Sequence, residues 1–203
     1  MDAQTTSRRK PTREIFDNIP QLPPHERDRR WNAIRARMAT EKIDCLLVIG
    51  NDLSYGLGMA NIRYLSQIAA RHGGFMLFPL EGEPAGFIGA PHMAKPTNIY
   101  AHAQDWVKDV QANFGIGHAL DALRQRVSPL RKVGIVSGAN RLQPDNIPHL
   151  VWVAIQERLK DIEVVDASGI FFDLRMIKSE IELDFLRKAG KLHQHMVDAM
   201  INT

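Results

Sequence analysis

The stretch DLRMIKSEIELDFLRKAGKL (173–192) carries the sharpest structural signal in this chain. Ser179 and Glu182 stand three apart as a capping box, S-x-x-E: a hydroxyl for the N–H of the third helical residue and a carboxylate that reaches back to the N-cap. Beyond them Ile181, Phe185, Leu192, Met196 and Met200 recur at three- and four-residue steps, with Ala189 filling the gap, so they share one helical face. The spacing predicts a helix of about 22 residues, about 33 Å long at about 1.5 Å per residue. That is long for the last element of a domain this size, and it reads as built to reach something else.

Upstream of that helix the chain alternates. IEVVDA (162–167) and KVGIVS (132–137) read as strands, each following an apolar-periodic helical stretch, at roughly 146–159 and 116–128. WVKDV (106–110) is strand-like, and GGFMLFP (73–79) and PAGFIG (84–89) form a hairpin about the turn Leu80-Glu81-Gly82-Glu83. NIRYLS (61–66) reads as a short strand after the glycine-containing loop NDLSYGLGMAN (51–61). DCLLVIG (44–50) is a buried strand, fed by a helix from about His25 in which Trp31, Ile34 and Met38 share a face. Residues 1–24 are polar, contain Pro11, Pro20, Pro23 and Pro24, and read as an arm with little structure of its own. The alternation predicts an α/β domain.

Composition narrows the class. The 203 residues are 44% hydrophobic and 24% charged, enough apolar matter for a packed core, and the formal charge is only +3. The arginines of HERDRRWNAIRARM (25–38), namely Arg27, Arg30, Arg35 and Arg37, are read as lying on solvated helical faces; with no aromatic platform beside them, nucleic acid is not expected as a partner. The single cysteine, Cys45, lies inside an apolar run and has no disulfide partner within the chain. The N-terminus carries charges where a signal peptide needs an apolar stretch, and no segment approaches the roughly 18 apolar residues of a membrane span, so a cytoplasmic location is expected.

Three stretches together identify a family resemblance. RWNAIRARMATEKIDCLLVIG resembles the opening helix and first strand of the creatinase/prolidase (Xaa-Pro peptidase) N-terminal domain, and NIRYLSQIAARHGGFMLFPLEGEPAGFI resembles its N-x-x-Y-L segment and hairpin. The third, through Arg175, Lys178, Ser179, Glu180, Glu182, Leu186, Arg187, Lys188 and Ala189, is similar to the family's junction between two domains. The resemblance implies a three-layer α/β/α fold with a mixed, mainly parallel sheet of the ribonuclease-H-like kind. It also implies domain limits: an arm at 1–24, the α/β domain at 25–178, and a linker helix at 179–203 cut short of a catalytic domain. In the family's metallopeptidases that second domain holds two divalent metals (Mn, Co or Zn) with two Asp, one His and two Glu, whereas creatinase works without metal. No catalytic residue and no metal ligand carries over to this chain, which is therefore expected not to be an enzyme alone, its parent being a hydrolase. The implied partners are the chain's own catalytic domain, a second copy in a homodimer, and a small-molecule or short-peptide substrate. In family dimers the N-terminal domain of one subunit covers the active site of the other, and in creatinase an Arg at the start of the hairpin strand contacts the substrate carboxylate. RHGGFMLF resembles that place, which puts forward Arg71, whose planar fork suits a carboxylate, and His72 beside it. An ordinary solvated Arg before a Gly-Gly turn is the alternative.

Other motifs point less far. His193 and His195 lie two apart on the last helix and face different ways, so they cannot form an i, i+4 metal pair; His92 and His102 have no carboxylate at useful spacing. His72-Gly73-Gly74 lacks a companion G-x-S-x-G. Gly56-Leu57-Gly58 opens like a dinucleotide fingerprint, yet Asn61 stands where the third Gly belongs and NIRYLS reads as a strand where a helix should start. Trp106, Trp152, Phe171, Phe172 and Met176 are expected in core or domain-contact packing, and Met93 and Tyr100 in packing. Two readings from other classes stay open: a stand-alone ligand-binding or regulatory module, whose last helix would fold back on its own domain or a homodimer, and a nucleotide-dependent enzyme using the Gly56–Gly58 loop.

Overall fold

CLLVIG is apolar at every position, so as a strand it must be covered on both faces, and all six of its residues are buried. The computed structural model of the protein, which describes residues 21–51, 57–70, 73–89, 103–138 and 147–202, meets that demand with a sheet between two helical layers. The strands are β1 (Cys45–Gly50), β2 (Gly74–Pro79), β3 (Ala85–Ile88), β4 (Asp109–Gln111), β5 (Lys132–Val136) and β6 (Glu163–Asp166), ordered β4-β3-β2-β1-β5-β6. β2 pairs antiparallel with β1 and with β3, while β1–β5, β5–β6 and β3–β4 are parallel, so β2 alone runs against the rest. The expected mixed, mainly parallel sheet is present.

The helices are α1 (Pro24–Glu41), α2 (Ala60–Ser66), α3 (Ile116–Arg126), α4 (His149–Arg158), α5 (Ser168–Met176) and α6 (Glu180–Ile201). Successive residues of a strand face opposite ways, and β1 divides accordingly. Leu46 and Val48 pack with Trp31, Ile34 and Met38 of α1, Ile62 and Leu65 of α2, and Ile170 and Phe171 of α5. Leu47 and Ile49 pack on the other side with Leu120 and Leu123 of α3 and Ile155 of α4. Each such fully buried side chain contributes about 1.5–3 kcal/mol relative to exposure. At the start of β1 the Asp44 carboxylate accepts the backbone N–H groups of Arg131 (2.7 Å) and Lys132 (2.9 Å), which helps to set the β1–β5 register.

Four local expectations are corrected. NIRYLS is not a strand but helix α2, with Asn61, Ile62, Tyr64, Leu65 and Ser66 all buried. So short a helix, enclosed on most sides, leaves no polar stripe to reveal its period, and tertiary burial overrides the strand propensity of Ile and Tyr. α5 was not anticipated, because Ile170, Phe171 and Phe172 are adjacent rather than periodic. WVKDV enters the sheet only at Asp109, since the Gln104 side chain satisfies both the N–H and the carbonyl of Val107 at 2.7 Å, in place of a ladder. Arg30 is not solvated but 3% exposed. Order also reaches into residues assigned to the arm: Trp106 Nε1 donates to the Leu22 carbonyl (3.1 Å), and Pro24 opens α1, where a missing N–H costs nothing.

Candidate functional site

The C-terminal end of β1, the start of β2 and the loop before α2 meet so closely that only glycine fits. A Cβ on Gly50 would stand 2.5 Å from Met59 Sδ, and one on Gly73, whose φ is +70°, would stand 2.6 Å from the Gly50 carbonyl oxygen. Gly58 is pressed on Asn51, where an added Cβ would come within 2.5 Å of the backbone oxygen. The space freed at Gly58 is therefore filled by the chain itself. A helix does follow this loop, contrary to expectation, but the glycine that would admit a phosphate serves internal packing. Arg71, His72 and Gly56 lie outside the described residues; Gly73, which follows the first two in the chain, stands at this same sheet end.

The residues of the N-x-x-Y-L segment and of the capping-box segment converge around α2. Asn61 donates from Nδ2 to the Gly138 carbonyl (2.8 Å) and accepts from Arg175 Nη1 (2.8 Å), linking α2, the end of β5 and α5. Arg30 of α1 donates to the Tyr64 carbonyl (3.0 Å) and to Glu26 Oε1 (2.8 Å), and its guanidinium lies 4.3 Å from the Tyr64 ring centroid. Its remaining nitrogen pairs with Glu182 Oε1 at 3.0 Å. Arg29 joins the same two carboxylates, at 2.7 Å to Glu26 and 3.3 Å to Glu182. Burial alone would raise the Glu26 carboxyl, but hydrogen bonds from Arg29 and Arg30 outweigh it and hold the group below the ordinary carboxylate range. Burial pushes the Tyr64 hydroxyl up, and its oxygen has no hydrogen-bond partner among the described residues. Sequence inspection missed this network because its arginines look like any helical surface charge; the i, i+4 spacing of Glu26 and Arg30 was the one available signal.

Among the described residues no group of three His, Cys, Asp or Glu gathers to hold a metal. His193 and His195 are exposed on α6, while His92, His102, Met93 and Tyr100 lie outside the described residues. Trp106 and Phe171 are core, whereas Met176 is 74% exposed and Trp152 lies half-exposed beside Ile147, Val164 and Asp166 in an open cleft at the carboxyl ends of β5 and β6. Cys45 is buried and its thiol pushed up by desolvation, which removes it as a nucleophile.

The family model described as the creatinase/prolidase N-terminal domain matches residues 30–177, more than half of the sequence. This chain belongs to that family. Solved structures with the same fold include prolidase from Pyrococcus horikoshii, at 19% identity and a TM-score of 0.61, aligned over 86% of this chain and 43% of that one. Prolidase from Thermococcus sibiricus aligns over 91% of this chain and 45% of its own, at 14% identity and a TM-score of 0.64. The N-terminal domain of the cytoplasmic peptidase PepQ from Mycobacterium tuberculosis, at 18% identity and a TM-score of 0.50, aligns over 70% of this chain and 95% of its own length. The chain thus spans less than half the length of the two prolidases it matches and nearly all of an isolated N-terminal domain. No curated protein matches it.

Proposed function

We propose that this chain acts as the non-catalytic N-terminal domain of a creatinase- or prolidase-like hydrolase, assembling a homodimer and limiting access to the partner subunit's active site. The family match over residues 30–177 carries the reading. Its proposed organisation is an arm at 1–24, the α/β domain at 25–178, and a helix at 179–203 that bridges to a catalytic domain. Helix α6 supports this: it buries none of its residues, and Leu192, Met196 and Met200 stay more than half exposed. A self-contained regulatory module would instead bury that face against its own domain or a second copy. A cytoplasmic location is proposed from the likeness to the N-terminal domain of a cytoplasmic peptidase; among the described residues no helix is long and apolar enough to cross a membrane.

Two divalent metals, where the parent uses them, would sit in the catalytic domain. Arg71, with His72 beside it, is proposed to meet a carboxylate of a small-molecule or short-peptide substrate bound in the partner subunit. The reading is tested in the parent hydrolase: Arg71→Ala is expected to raise KM and lower kcat/KM, and unchanged kinetics would remove Arg71 from the site. The isolated chain is expected to show no peptidase or creatine-hydrolysing activity with or without Mn²⁺, Co²⁺ or Zn²⁺. Turnover that copurifies with it would overturn the non-catalytic assignment.

A further inference from the structure

Helix α6 leaves the α/β body through a very short joint. α5 ends at Met176, Ile177 and Lys178 follow, and Ser179 is already the extended N-cap of α6, at φ −74° and ψ 163°. Met176 and Ile177 are both about three-quarters exposed, at 74% and 75%, so no apolar packing grips the joint there. Among the described residues, the ion pairs that tie α6 to the rest of the molecule are those of Glu182 with Arg29 and Arg30. The same carboxylate accepts the Ser179 N–H at 3.0 Å, while Ser179 Oγ accepts the Glu182 N–H at 3.2 Å.

We infer that Glu182 is the positioning residue of this joint: one carboxylate both starts α6 and docks it on the buried Arg30, and so fixes the direction in which the helix leaves the body. Arg30 is fit to be the anchor. It is 3% exposed, pinned by Glu26 and the Tyr64 carbonyl, and lies against the Tyr64 ring. A guanidinium so constrained presents its free edge in one direction, and the partner carboxylate has little choice of place. Capping by itself sets where a helix begins, not where it points. The inference rests on these contacts alone and holds whatever α6 eventually meets.

Two variants separate the roles. Glu182→Gln retains an acceptor for the Ser179 N–H, since Gln also serves in a capping box, but loses the charge that faces Arg30. Arg30 stays neutralised by Glu26, so the variant keeps its fold. Ser179→Ala weakens the cap and leaves the docking pair. The measurement is the distance between spin labels on the full chain carrying Lys160→Cys and Lys191→Cys, both at exposed positions; buried Cys45 does not take up label. The wild-type distribution is expected to be narrow, to broaden and shift in Glu182→Gln, and to keep its centre in Ser179→Ala. Amide exchange in the first turn of α6 should quicken by roughly tenfold in Glu182→Gln, the scale of one charge-assisted hydrogen bond. An unchanged distribution in Glu182→Gln, or equal broadening in both variants, would overturn the assignment.

Discussion

At the residue scale, the least expected finding is an acid and an arginine inside the helical face that should have been wet. Glu26 is 1% exposed, and it is tolerable there because Arg29 and Arg30 both donate to it. Its carboxyl is held below the ordinary value of 4.5, so the native state binds its proton less readily than the unfolded chain does. The stability it contributes is therefore present above that ordinary value and is lost as pH falls through the lower native one. Glu26→Gln should lower stability near neutrality by about 1–3 kcal/mol and flatten its acid limb, as read from urea denaturation across pH. A parallel pH profile in the two proteins would deny Glu26 this role. The glycines at the β1–β2 end of the sheet teach the reverse lesson: Gly50, Gly58 and Gly73 are packed against atoms of the chain itself.

At the element scale, legibility followed the periodicity. α6 was readable to its cap because one apolar stripe runs along a solvated helix, and Ser179 and Glu182 make the reciprocal bonds their spacing announces. α2 and α5 were not, because short helices packed on the sheet show no polar face from which a period could be counted. Gly190 is an anomaly inside α6, with no atom within 4 Å of where its Cβ would stand. Gly190→Ala should stabilise the helix by about 0.5–1 kcal/mol and raise its helicity by circular dichroism. Unchanged or lower helicity would deny that the missing side chain at Gly190 weakens the helix.

At the scale of the whole molecule, the two cores on either side of the sheet leave α6 outside both. Its stripe of Leu192, Met196 and Met200 is a surface that monomers rarely leave uncovered. Left uncovered in the isolated chain, it should drive concentration-dependent association in light scattering that Met196→Lys weakens. If association persists undiminished in that variant, the dimer is made elsewhere.

The α/β alternation, the buried central strand, the capped terminal helix and the family were all legible along the chain, because those depend on local period, capping chemistry and motif order. Long-range packing settled that β2 also pairs antiparallel with β1, that NIRYLS coils into a helix, and that Arg30 is a buried anchor for Glu182. These depend on which distant segments share a dielectric and a packing surface. Residues 153 apart in the chain, Arg29 and Glu182, become neighbours only once the sheet has brought α1 beside the joint.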